Sequence, residues 1–224
     1  ILSEDKEFKY TSVNPCAEEP LPAGGSCLLG SFNLSAYVKD NEFKFEEFKR
    51  DIKTVVKGMN DVLDEGLPLH PLQIQRDTVR DYRQIGIGIM GIADMLIKLG
   101  LKYGSDEAVA LCDKIGFVLA DTSMSESALL AKELGTYPKC KKELVLESEF
   151  VKNNATEETK ELIKEYGLRN SQLLTIAPCG SLSTMLGISG GIEPIFANSY
   201  TRKTESLHGE DVYYKVYTPI VDEY

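Results

Sequence analysis

Tryptophan is absent from this chain of 224 residues, histidine occurs only as His70 and His208, and the five cysteines include no CxxC pair. Zinc fingers and ribbons need clustered Cys and His at regular spacing. The scattered set Cys16, Cys27, Cys112, Cys140 and Cys179 argues against one. So few cysteines in a chain this long also argue against a secreted disulfide scaffold, and a reducing cytoplasm is the expected compartment. No run reaches the roughly 20 apolar residues of a membrane span. The opening, ILSEDKEFKY, is polar and charged, unlike a secretory signal. It also lacks an initiator methionine, so the chain is expected to be cut from something longer. Basic excess is missing too: 35 acidic and 25 basic residues give a net charge of −10. A chain with that balance is not expected to coat a nucleic-acid polymer or an anionic membrane, but a local pocket for one phosphorylated small molecule stays open.

What is present reads as an α/β chain, taken as one domain over residues 1–224. FKFEEFKRDIKTVVKGMNDVLDEG places apolar residues at helical spacing from Phe45 to Leu63, with Gly66 and Pro68 as the stop. RQIGIGIMGIADMLIKLG predicts a short buried strand to about Ile89, then a short helix ending at Gly100. Gly86, Gly88 and Gly91 allow close backbone packing or a bend. A long helix is expected between a Ser105 cap and Gly135, and a shorter one between Thr156 and Gly167. SQLLTIAP has the composition of a compact strand. Cys112 falls on the apolar side of the long helix, Cys140 is expected in a surface loop, and Tyr213, Tyr214 and Tyr217 read as an edge or core strand.

The segment NPCAEEPLPAGGSC, Asn14 to Cys27, holds two thiols and two carboxylates, broken by Pro15, Pro20 and Pro22. The prolines forbid a continuous helix and weaken a strand, so a loop is expected. In extended backbone residues i and i+2 share a side, which would align Asn14, Cys16 and Glu18. An amide, a thiol and a base in one row suit chemistry at a hydroxyl-bearing carbon. The plainer alternative is a polar turn with an inert cysteine. A second segment, PCGSLS, follows the SQLLTIAP strand signal and leads towards a helix-like stretch. Backbone N–H groups at such a junction form an anion site: Gly180 permits close approach, and the Ser181 and Ser183 hydroxyls can donate to phosphate oxygens. A polar turn is again the alternative.

NPCAE followed by PLPAGGSCLLGSFNLS resembles the finger loop of the ribonucleotide reductase large chain. RQIGIGIMGIADML and LLTIAPCGSLSTMLGISGGIEPIFANSYTR resemble two further blocks of that family, in the family's order. Pro15 before the cysteine is closest to the adenosylcobalamin-dependent class II form; the class I form usually has Leu there. The resemblance implies part of a ten-stranded α/β barrel, with this chain supplying the central finger loop and most of the second half-barrel. It implies that Cys16 becomes a thiyl radical and abstracts the ribose 3′ hydrogen. Glu18 takes the 3′-hydroxyl proton, Asn14 orients the ribose, and Cys27 is one of two thiols that reduce the 2′ position. The segment Cys179, Gly180, Ser181, Leu182 and Ser183 matches the substrate's phosphate site, with Cys179 where the most familiar form has Thr. Glu193, in the landmark turn SGGIEP, is read as structural.

The family also implies adenosylcobalamin as radical source, or a separate metal-containing subunit in class I, and an external dithiol of thioredoxin or glutaredoxin type. Further expected partners are a ribonucleotide, a second copy in the full-length homodimer, and the rest of the parent chain with its other redox cysteine. No metal ligands are expected within this chain. Alone it is expected to be inactive and, with a barrel edge exposed, to self-associate. Two other functions compete: a thiol–disulfide protein using Cys16 and Cys27, and a non-catalytic nucleotide-binding module using only the PCGSLS loop.

Overall fold

The computed structural model describes residues 1–204 and 209–223, so His208 lies outside the described residues. The chain opens with a short hairpin, β1 (Ser12–Val13) against β2 (Pro20–Leu21), and continues into β3 (Leu29–Asn33). A second hairpin, β4 (Val38–Lys39) and β5 (Glu42–Phe43), turns through Asp40 and Asn41, both at positive φ, a turn the strand patterns did not reveal. Then come α1 (Phe45–Gly66), α2 (Gln73–Tyr82), β6 (Gly86–Met90), α3 (Ile92–Lys98) and the long α4 (Asp106–Leu134). Three short helices follow: α5 (Lys142–Glu147), α6 (Glu149–Asn154) and α7 (Glu157–Tyr166). The C-terminal part holds α8 (Gly180–Leu186), the antiparallel pair β7 (Ser199–Thr204) and β8 (Val212–Tyr217), and α9 (Pro219–Glu223).

The helix ends follow local chemistry. Ser105 accepts from the Ala108 N–H and Thr156 from the Thr159 N–H, satisfying first-turn donors. Gly135 and Gly167 leave α4 and α7 at φ +83° and +76°. The first helix runs through Gly66, which keeps right-handed helical angles, and closes in a 3-10 turn over Leu67–Leu69 where Pro68 sits. Its inner face, Phe48, Ile52, Val56, Met59 and Leu63, is buried, and it packs on α4, which packs in turn on α7. Fully burying a side chain such as Phe48 contributes roughly 1.5–3 kcal/mol.

Strands β3 and β6 form a parallel pair running from Leu29 opposite Gly86 to Asn33 opposite Met90. Every residue of β6 is buried, as expected of a strand covered on both faces. The SQLLTIAP segment lies along the other edge of β6 but joins it only as a single bridge, Leu174 to Ile87. Ile87 donates to the Leu173 carbonyl (2.8 Å) and accepts from the Thr175 N–H (3.1 Å). The approach is so close that a Cβ on Gly86 would lie 2.4 Å from Thr175 Cγ2, and one on Gly88 would lie 2.3 Å from the Thr175 carbonyl oxygen. The glycines are therefore required by packing. The α/β class holds, but no closed barrel is formed among the described residues; their strands make only two-stranded pairings beyond that bridge. Strand β8 carries Tyr213, Tyr214 and Tyr217 as an exposed edge ribbon. Among the described residues no helix is long and apolar enough to cross a membrane.

Candidate active site

The Asn14–Glu19 segment is the turn of the β1–β2 hairpin rather than an extended row. The Asn14 carbonyl accepts from Ala17 N–H at 2.9 Å, with Pro15 at the second turn position that its fixed φ suits. Ala17 is left-handed at φ +64°, and the Asn14 N–H closes the loop on the Glu19 carbonyl at 3.1 Å. Alternation by two therefore fails here, because the chain reverses between Cys16 and Glu18. The consequence is a division of labour. Cys16 is exposed at the tip. Glu18 is half-buried, and both its carboxylate oxygens are shut off from water with no hydrogen-bond partner. An unpartnered buried carboxylate is costly, and its two oxygens are left without a donor inside the fold.

Asn14 is buried and spent inside the loop: Oδ1 accepts from the Glu19 N–H (3.0 Å) and Nδ2 donates to Cys27 Sγ (3.4 Å). Cys27, exposed as a residue, turns its sulfur towards this cluster. Its thiol is pushed up to about 12, by burial of the sulfur first, then by the Glu19 carboxylate beside it. Glu19 itself is completely buried, and burial with the nearby Glu18 charge raises its carboxyl above the usual range. Sequence patterning passed over Glu19; its signal was the doubled acid between Ala17 and Pro20.

The 171–178 segment holds the hairpin in place. Thr175 Oγ1 donates to the Glu18 carbonyl at 2.7 Å. Gln172 Nε2 donates to Glu19 Oε1 at 3.1 Å and is itself steadied by Gln84 Nε2 at 3.0 Å. These anchors come from more than 150 residues away, so no local pattern marks them. Just beyond, Cys179 is left-handed at φ +54° and its sulfur lies 3.0 Å from Ser31 Oγ on β3. Helix α8 starts here: the Ser183 N–H reaches the Cys179 carbonyl at 2.8 Å, so the earlier N–H groups at Gly180, Ser181 and Leu182 have no helical acceptor. Those three residues are exposed. Ser183 is buried, and its hydroxyl bonds the Gly180 carbonyl at 3.2 Å, which takes it away from any ligand.

A cleft of about 430 Å³ opens from Gly180 and Ser183 past Ser189 and Gly190 to Phe196 and Arg202. The Ser189 N–H is held by Oδ2 of the buried Asp94 at 2.7 Å, which fixes the SGGIEP turn to α3. Glu193 is exposed in this cleft wall. Cys112 lines a mainly apolar cavity with Ile87, Ile89 and Ile115, in keeping with a core position. Cys140 is in a loop but not on the surface: it is half-buried against the core, and burial pushes its thiol up.

The chain belongs to the ribonucleotide reductase barrel-domain family, which matches residues 4–222. Among particular relatives, it is similar to a protein named vitamin B12-dependent ribonucleoside-diphosphate reductase from Thermoplasma acidophilum. The two are 38% identical over 202 residues, covering 90% of this chain and 24% of that protein. A Mycobacterium tuberculosis protein of the same name is 31% identical over 200 residues, 89% of this chain and 26% of that one. The ribonucleoside-diphosphate reductase subunit alpha of Chlamydia pneumoniae is 29% identical over 205 residues, 82% of this chain and 19% of that one. The chain thus spans about a quarter or less of the length of these relatives.

Proposed function

We propose that this chain is the finger loop and second half-barrel of a ten-stranded ribonucleotide reductase barrel, and that the full-length protein replaces the 2′-hydroxyl of a ribonucleotide by hydrogen. The observation that carries the reading is the Glu18 carboxylate, buried with no hydrogen-bond partner, in the same hairpin turn as the exposed Cys16 thiol. In this reading Cys16, as a thiyl, takes the ribose 3′ hydrogen. Glu18 receives the 3′-hydroxyl proton, which supplies the hydrogen bond its oxygens lack. Cys27 is a reductant of the 2′ carbon, paired with a thiol elsewhere in the full-length protein. Asn14 acts by holding Cys27 and Glu19; orienting the ribose as well would require its amide to leave the Cys27 sulfur. The N–H groups at Gly180, Ser181 and Leu182 receive the substrate's phosphates, with Cys179 setting the left-handed entry and Ser183 bracing the helix start.

The names of the more similar relatives and Pro15 favour adenosylcobalamin as radical source. The residues present fit that group at one point: an exposed thiol at a loop tip can be reached from outside, and Cys16 would meet it there. Adenosylcobalamin, when bound, supplies the one-electron chemistry that makes Cys16 a hydrogen-atom acceptor. A thioredoxin-like dithiol re-reduces the protein, and a cytoplasmic homodimer is the expected assembly. Cys16→Ser tests the assignment in the full-length protein. Because Cys16 is exposed, the variant should fold and bind nucleotide as before while losing deoxyribonucleotide formation. Retained reduction would overturn the reading.

A further inference from the structure

Glu19 has no part in the reaction just described, yet it is a completely buried acid in the hairpin that carries Cys16 and Cys27. Two hydrogen bonds hold it on this side of the hairpin. Its N–H donates to Asn14 Oδ1 at 3.0 Å, and the same Asn14 donates through Nδ2 to Cys27 Sγ at 3.4 Å, so one amide ties the acid and the thiol together. Its Oε1 accepts from Gln172 at 3.1 Å. Its Oε2 is buried with no hydrogen-bond donor aligned to it.

We infer that Glu19 is a positioning residue for Cys27, held by Gln172 and Asn14 so that its buried carboxylate keeps the Cys27 sulfur protonated. Partial burial of the sulfur disfavours the thiolate first, and taking the proton from Cys27 would also set that thiolate beside carboxylates. Glu19 and Glu18 from the hairpin act on that sulfur, and His70 and Gln84 line the same cleft as Cys27. Glu19 is the stronger influence of the two acids, while the Asn14 amide alone works the other way. The Cys27 thiol is thereby kept as a hydrogen donor and protected from alkylation and stray oxidation, which attack the thiolate. Within the proposed reduction, this keeps one reducing equivalent intact until substrate arrives. That last role rests on the proposed function; the hold on the thiol does not.

The test needs no turnover, so its failure and the failure of the reductase reading are separable. The full-length protein is alkylated with iodoacetamide across about pH 6 to 10, with glutathione as the reference thiol, and each cysteine is followed by mass spectrometry. In the wild type, Cys27 should stay unmodified to well above the pH at which glutathione reacts, although the residue is exposed. Glu19→Gln keeps the shape and can still accept from Gln172, but removes the charge. It should raise the Cys27 rate at least about tenfold near pH 8, each lost pKa unit giving tenfold more thiolate, with the Cys16 rate unchanged. A general loosening of the hairpin would instead raise both rates and leave the pH midpoint in place, and would overturn the inference. So would a wild-type Cys27 profile that follows glutathione, which decides the matter even if Glu19→Gln does not fold.

Discussion

Gly88→Ala is the sharpest structural perturbation available, because the added methyl meets backbone and not a side chain that can swing away. Its Cβ would lie 2.3 Å from the Thr175 carbonyl oxygen and 3.2 Å from Ile176 Cα. Relief requires the 171–178 segment to move off β6. That breaks the two Ile87 hydrogen bonds, 2.8 Å to Leu173 and 3.1 Å from Thr175, and loosens the Thr175 hydroxyl from the Glu18 carbonyl. Overpacking costs about 1–3 kcal/mol and each weakened hydrogen bond about 0.5–1.5 kcal/mol, so a loss of about 3 kcal/mol or more is expected. Gly116→Ala is the matched control: it lies inside α4 and its Cβ would meet nothing within 4 Å. There alanine should stabilise by about 0.5–1 kcal/mol through helix propensity. Denaturant midpoints of the two variants should move in opposite directions, and amide exchange at Ile87 and Thr175 should speed up only in Gly88→Ala. A Gly88→Ala protein within about 0.5 kcal/mol of wild type would refute the claim that the segment is clamped to β6.

Three further outcomes follow from the same contacts. Asn170 is fully buried and bonds Asn60, Ser127 and the Arg83 carbonyl, so Asn170→Ala should cost about 2–4 kcal/mol in urea unfolding by leaving several buried groups unpaired. Thr175→Val removes the 2.7 Å bond that fixes the Glu18 carbonyl; a stability loss of about 1 kcal/mol should accompany a fall in kcat with KM nearly unchanged. Glu19 has a raised carboxyl pKa in the fold, so the folded state binds its proton more tightly than the unfolded chain does. Its ionisation therefore subtracts stability as pH rises through the shifted value. Glu19→Gln should have the higher denaturation midpoint near pH 8, and that advantage should vanish below about pH 4.5.

Local chemistry was legible in the chain. The Ser105 and Thr156 caps and the Gly135 and Gly167 exits are written in a few neighbouring residues, and α4 and α7 begin and end where those residues stand. The glycines of β6 were legible as a request for close approach, though not for what approaches. The hairpin was harder, because its shape hangs on Ala17 adopting a left-handed backbone that an alanine seldom takes. Extended alternation put Asn14, Cys16 and Glu18 on one side; the turn instead exposes Cys16 and buries Asn14. The SQLLTIAP strand shrank to one bridge. Glu19 escaped notice because its burial is decided by Gln172, and Cys140 was misplaced because Tyr137, fully buried beside it, draws that loop into the core. Contacts between distant segments leave no local pattern to read.

The central claim is tested most directly by turnover of the full-length protein. It is incubated without oxygen with a ribonucleotide and a dithiol, with and without adenosylcobalamin, and deoxyribonucleotide is measured. Product that forms only with adenosylcobalamin, and is lost in Cys16→Ser, is the predicted result. Product that survives loss of the Cys16 thiol, or no product with either adenosylcobalamin or a metal-containing radical subunit, would contradict the account and leave a nucleotide-binding module in its place.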